Sequence, residues 1–216
     1  MDPGLNELLR WSVENSDASR GDPGSQINQG RSGPRIEGLT AEALQSILGG
    51  PSDADRMRDA MTAIMSPDVD LDNKLTAFDN FEQLVENLDN ANNMEVLGLW
   101  DPLVRQLQRE EKELRKMAAW CLGTAVQNNV KGQEKMLSLG VLPTLVDLSL
   151  NDEDKEVRKK AIRAVSSGVR NFQPGLDEAM KTIPDEHKGN GEVDASQMDQ
   201  VDTMIQSLRD KSEKLG

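Results

Sequence analysis

Residues 114–129 read LRKMAAWCLGTAVQNN and residues 157–172 read VRKKAIRAVSSGVRNF, the same helix written twice at an offset of forty-three residues. In both copies apolar residues recur at helical spacing. Each copy follows a second apolar segment that opens on proline, PLVRQL from Pro102 and PTLVDL from Pro143. An acidic turn, QREEKE or NDEDKE, joins segment to helix.

A period of this size means stacked units that cannot bury their apolar faces alone and share a core with their neighbours. Upstream, residues 71–88 (LDNKLTAFDNFEQLVENL) form a third, more divergent copy, with Leu71, Leu75, Phe78, Phe81, Leu84, Val85 and Leu88 at helical spacing. Leu71, Leu114 and Val157 then line up, and Asn87, Asn128 and Asn171 fall at equivalent places near the last turn of each long helix. Short helices starting near Asn92 and Lys131 complete three-helix units. The predicted fold is therefore an all-α, armadillo-like, right-handed superhelical repeat.

Outward from the repeats the chain changes character. Residues 5–13 hold Leu5, Leu8, Leu9, Trp11 and Val13 in an amphipathic segment barely long enough to persist as a helix alone, and residues 20–38 are a Gly-, Pro- and Ser-rich linker. A flexible N-terminal segment is thus expected over 1–38 and repeats over 39–183. Thr40 caps a short helix ended by Gly49 and Gly50, and Ser52 or Asp53 starts another that carries Met57, Ala60, Met61, Ile64 and Met65. Residues 173–183 make one more helix, 184–195 are a polar loop, and Ser196 caps a last helix in which Met198, Val201, Ile205 and Leu208 form an apolar stripe. A terminal repeat needs a polar outer face, so residues 196–216 read as a cap in preference to a partner-binding helix.

A formal charge of −13 and a pI near 4.6 disfavour nucleic acid and anionic lipid as partners, and no apolar run has the length of a membrane span. Without a secretory pattern at the N-terminus, and with one cysteine, the expected address is the cytoplasm. The motifs that look like chemistry are decoys. Asp68, Asp70 and Asp72 match the first ligand positions of a calcium loop, but Asn73 stands where glycine is needed, Asp79 where glutamate is usual, and the helical period runs through the segment. Cys121 lies on an apolar face, Trp100 and Trp120 read as core, and His187, the one histidine, sits in the polar loop away from any nucleophile. No phosphate loop, zinc spacing or catalytic constellation is present, so no enzyme activity and no cofactor are expected.

What remains is a polar edge. The run 86–93 (ENLDNANN) is costly inside a helix and reads as a terminus, with a new cap at Asn92 or Asn93; it also offers donors and acceptors without a charge to desolvate. Capping and recognition are compatible uses of the same residues.

Four strings carry a likeness: LLRWSVENS (8–16), FDNFEQLVENLDNANN (78–93), LWDPL (99–103) and LGTAVQNN (122–129) resemble the fungal armadillo-type nucleotide exchange factors of the seventy-kilodalton heat-shock (DnaK-type) chaperone, a family related to the animal heat-shock-binding protein. The match covers most of residues 5–172 and fades beyond. Longer members continue with further repeats where this chain has a loop and one helix, which marks a shorter fungal form. The resemblance implies a co-chaperone that binds the nucleotide-binding domain of a cytosolic heat-shock chaperone, favours its opened cleft, and accelerates ADP release without binding nucleotide itself; a monomer is expected. By motif position it places the contact on Glu86, Asn87, Asp89, Asn90, Ala91 and Asn92, with Asn128, Asn129, Arg170 and Asn171 on the same edge of later units, and Ala91 as the small residue that permits close approach. It also implies a polypeptide-release segment at Leu8, Leu9, Arg10 and Trp11, with a second candidate at residues 44–48. The alternative from the residues alone is a general armadillo adaptor that holds an unrelated peptide in its groove.

Overall fold

The computed structural model describes residues 50–188 and 193–215, which lie in the unit from residue 52 onward apart from Gly50 and Pro51. The release segment at Leu8, Leu9, Arg10 and Trp11, the linker and the helix capped by Thr40 lie outside the described residues.

Among the described residues there is no strand. Ten α-helices follow one another: α1 Asp53–Met65, α2 Leu71–Val85, α3 Leu88–Val96, α4 Trp100–Arg105, α5 Lys112–Val126, α6 Val130–Ser138, α7 Val141–Asn151, α8 Lys155–Val169, α9 Gln173–Thr182 and α10 Met198–Lys214, with 3₁₀ turns at Gln106–Gln108 and Asp185–His187. None of them is long and apolar enough to cross a membrane. Helices α3–α5 and α6–α8 are two successive three-helix units; α1 and α2 precede them, α9 follows, and α10 packs on α8 and α7. This all-α, armadillo-like arrangement is the one the sequence period predicts.

The chain starts its helices where a polar side chain can take an orphan amide. Ser52, Asp70, Asn87, Asn129 and Asp154 cap α1, α2, α3, α6 and α8 in turn. Asp70 accepts from Asn73 N at 2.9 Å, and the helix that follows runs straight through the segment that resembled a calcium loop. Pro102 and Pro143 each sit at the third residue of their helix, within the first turn, where a missing N–H costs nothing.

The three long helices, α2, α5 and α8, are each fifteen residues long and pack side by side in that order. Their starts at 71, 112 and 155 correct the expected alignment. Leu71 opens α2 and is 36% exposed, whereas Leu114 and Val157 are two residues inside their helices and fully buried. The α2 core begins instead at Lys74 and Ala77 and continues through Phe78, Phe81 and Val85. Cys121 is buried in this shared core, and burial pushes its thiol pKa well up.

Arg115 and Arg158 occupy the fourth position of α5 and α8 and do the same work twice. Arg115 Nη1 donates to the carbonyls of Arg109 and Glu110; Arg158 Nη1 donates to those of Asp152 and Glu153. Each also reaches into the next layer. Arg115 forms a two-pronged pair with Asp152 at 2.7 and 3.1 Å, and the carboxylate holds its pKa up. Arg158, 1% exposed, donates to the Oγ and carbonyl of Ser212 on α10.

Beyond α9 the described ends of the segment expected as a polar loop are docked. His187 is 8% exposed with Nδ1 2.8 Å from Ser207 Oγ, and Val193 and Ala195 are buried. Ser196 does not cap the last helix; it donates to Asp194, and α10 begins two residues later with Val201, Met204, Ile205 and Leu208 turned inward. That apolar stripe is the reason α10 packs against the repeats.

Candidate partner-binding surface

The asparagine-rich edge is built differently from its sequence reading. The long helices stop at Val126 and Val169, three residues before the ends of the repeated strings. Asn128 and Asn171 then turn the chain in the left-handed region, at φ 53° and 54°, a conformation asparagine tolerates better than other non-glycine residues. Asn87 has ordinary extended backbone and caps α3, so its structural counterparts are the cap positions Asn129 and Phe172.

The bridging helix α3 starts at Leu88, four residues before the expected Asn92. Three features make this Asn-rich helix tolerable. Asn87 Oδ1 accepts from Asp89 N and Asn90 N, Asp89 sits in the first turn where the helix dipole favours an anion, and Asn90 Nδ2 donates to Leu84 O and Asp53 Oδ2, both at 3.0 Å.

Ten residues carried the expected contact, and they fall into three groups. Glu86, Asn87, Asp89, Asn128 and Asn171 are exposed. Asn90, Asn92 and Arg170 are half-buried; Asn92 Oδ1 is buried with no hydrogen-bond partner among the described residues, and Arg170 donates to Ser166 Oγ at 2.9 Å and pairs with Asp202 on α10. Ala91 and Asn129 are 2% and 4% exposed. Ala91 is therefore a core residue on the inner face of α3, so a partner cannot touch its methyl group. Asn129 is consumed by capping, accepting from Gly132 N at 3.3 Å and donating to Ala125 O at 2.9 Å. The α3 and α6 edges lie beside each other, bridged by Lys135 Nζ to Glu95 at 3.0 Å.

A second surface was missed. On the outward flanks of α5 and α8, Trp120 is half-buried, not core, and Lys160 Nζ sits 3.3 Å from its ring centroid. Burial, then the neighbouring Arg163, lowers the Lys160 pKa. Close by, Asn128 from the α5–α6 turn, Arg163, Ser167 and Arg170 from the α8 region and Arg209 from α10 surround a hollow of about 200 Å³. The signal was present in the sequence: Lys155, Arg158, Lys159, Lys160 and Arg163 crowd one helix beside a single acid, Glu156, in a chain of net charge −13. These surfaces present amides, guanidiniums and one aromatic flank, which suits them to gripping another protein.

Comparison with known proteins agrees with this architecture. Residues 5–94 match the model of the family "Nucleotide exchange factor Fes1", and residues 90–181 match the "SIL1/FES1/HPBP1 C-terminal domain". A Gibberella zeae protein named Hsp70 nucleotide exchange factor FES1 is 50% identical over 214 residues, covering 97% of each chain. The Saccharomyces cerevisiae protein of the same name is 42% identical over 175 residues, 78% of this chain and 57% of its own length. In the solved structures a crystallised engineered protein superposes with a TM-score of 0.53 at 19% identity, over 81% of this chain and 68% of its own, a likeness of fold alone. With half of its residues shared across nearly its full length, the chain belongs to the Fes1 nucleotide exchange factor family.

Proposed function

We propose that this protein is an Hsp70 nucleotide exchange factor, a co-chaperone that binds the nucleotide-binding domain of a cytosolic Hsp70, favours the opened cleft and so speeds ADP release. The observation that carries the reading is the 50% identity over 97% of both chains with a protein named for that activity. Linkage sets the scale. A partner that prefers the nucleotide-poor state lowers nucleotide affinity by the same factor, and each tenfold needs about 1.4 kcal/mol of differential binding.

The contact surface consists of the exposed Glu86, Asn87 and Asp89 at the start of α3 and the left-handed Asn128 and Asn171, with Asn90, Asn92 and Arg170 behind them; Ala91 and Asn129 support it from beneath. Residues 1–38, with Leu8, Leu9, Arg10 and Trp11, act as a separate polypeptide-release segment, and the protein works as a monomer. Opening a partner's cleft requires binding alone.

The test is release of fluorescent ADP from a cytosolic Hsp70. The protein accelerates release at stoichiometric amounts, and the Asn128→Gly/Asn171→Gly variant, which keeps the left-handed turns but removes both amides, loses about tenfold in affinity, or about 1.4 kcal/mol, with its thermal melt unchanged. No acceleration by the wild-type protein would leave the adaptor reading in place. Wild-type exchange by the variant would remove both asparagines from the contact.

A further inference from the structure

The hollow beside Asn128 holds two cations with nothing to neutralise them. Among the described residues neither Arg163 nor Arg209 makes a hydrogen bond or an ion pair, and both are exposed. The nearby carboxylates are engaged elsewhere. Asp202 pairs with Arg170, Glu213 with Lys155, and Asp210 accepts from Gln206 Nε2 at 2.8 Å. Arg163 and Arg209 also wall a second hollow of about 430 Å³ on their other side, so they stand together on the ridge between two depressions. No carboxylate lines the smaller hollow, whose other polar groups are the amides of Gln127 and Asn128, the hydroxyls of Ser166 and Ser167, and the guanidinium of Arg170, which is already paired with Asp202.

In a chain of net charge −13 most of the surface repels an acidic group, and this place attracts one. A guanidinium offers a planar fork of donors matched to a carboxylate, and two of them beside Asn128 and Ser167 provide donors around its rim. A hollow of about 200 Å³ suits one side chain and not a nucleotide.

We propose that the hollow walled by Arg163 on α8 and Arg209 on α10 receives an aspartate or glutamate side chain of the bound Hsp70 and anchors the complex electrostatically at the C-terminal end of the stack. The proposal rests on the exchange-factor reading and adds to it the chemistry of the partner's anchoring group. It also assigns a binding role to α10.

The experiment measures affinity for the Hsp70 nucleotide-binding domain, at about 50 and about 500 mM KCl, for the full chain and two double variants. Arg163→Ala/Arg209→Ala weakens binding by roughly ten- to a hundredfold at low salt, the deficit shrinks at high salt as screening weakens the pair, and Arg163→Lys/Arg209→Lys, which keeps the charge but loses the fork, falls between the alanine variant and the wild type. Both positions are exposed, so the thermal melts stay at the wild-type value. Wild-type affinity in the alanine variant overturns the proposal, as does an equal loss at both salts. A calorimetric heat on adding ADP to the exchange factor alone gives the hollow to a phosphate and also overturns it. Should the wild type bind with this arginine-dependent salt response yet fail to release ADP, the exchange reading falls and the anchor stands; absence of binding ends both.

Discussion

Asp152 carries more of the structure than its place in an acidic turn suggests. Its carboxylate, 3% exposed, takes both prongs of Arg115 and also accepts from Asp154 N, tying α5 to the entry of α8. Removing one member of such a pair strands the other charge. Asp152→Ala is therefore expected to cost about 3 kcal/mol in urea denaturation, while Arg115→Met/Asp152→Leu, which removes both charges, costs less than Asp152→Ala alone. A double variant less stable than either single would refute stranding as the cause. The arginine was legible in the sequence as the second residue of both quoted strings. Its purpose was not, because the carbonyls and the carboxylate it binds lie in the preceding turn and the next unit. The same holds for Asn128 and Asn171: their repetition was visible, but their left-handed φ was set by the chain having to reverse between helices that pack.

At the scale of elements, the close approach of α5 and α8 depends on one missing side chain. A Cβ at Gly123 would meet the Ala164 backbone at 3.0 Å, a contact the neighbouring helix cannot relieve by a rotamer change. Gly123→Val should therefore separate the two helices and cost about 2–3 kcal/mol despite valine's better helix propensity, read as a lowered urea midpoint with unchanged slope. A neutral result would show that the α5–α8 spacing adjusts freely. Helix existence was legible throughout the repeats, because the 3.6-residue period is strong. Helix ends were less so: α3 begins at an asparagine cap and then runs through Asp89, Asn90, Asn92 and Asn93, against local propensity. Tertiary contacts override it. Asn90 is held by Asp53 and Leu84, and Ala91 and Met94 are buried beneath.

Across the whole molecule, the repeats are stabilised by their neighbours, so the last one needs cover. Helix α10 supplies it, burying Val201, Met204, Ile205 and Leu208 and completing the hydrogen bonds of Arg158 through Ser212. Deleting residues 197–216 uncovers the apolar face of α8 and takes the Ser212 hydrogen bonds from Arg158. With each fully buried apolar side chain worth about 1.5–3 kcal/mol, a loss of at least ~4 kcal/mol is expected, or a melting temperature lower by about 8–16 °C in circular dichroism. A melt within about 2 °C of the full chain would show that α10 is dispensable to the stack.

The sequence by itself determined the unit, its period and its all-helical class, because burial at fixed spacing is a local property repeated three times. It also displayed the basic face of α8 as a run of Lys and Arg. The tertiary structure decided which of those charges were spent. Arg158 is sealed between layers, Lys160 rests on Trp120, Arg170 is tied to α10, and Arg163 and Arg209, forty-six residues apart in the chain, come from two helices to share one hollow. Charge pairing depends on distance in space and burial on what a neighbour covers, and neither is fixed until the units stack.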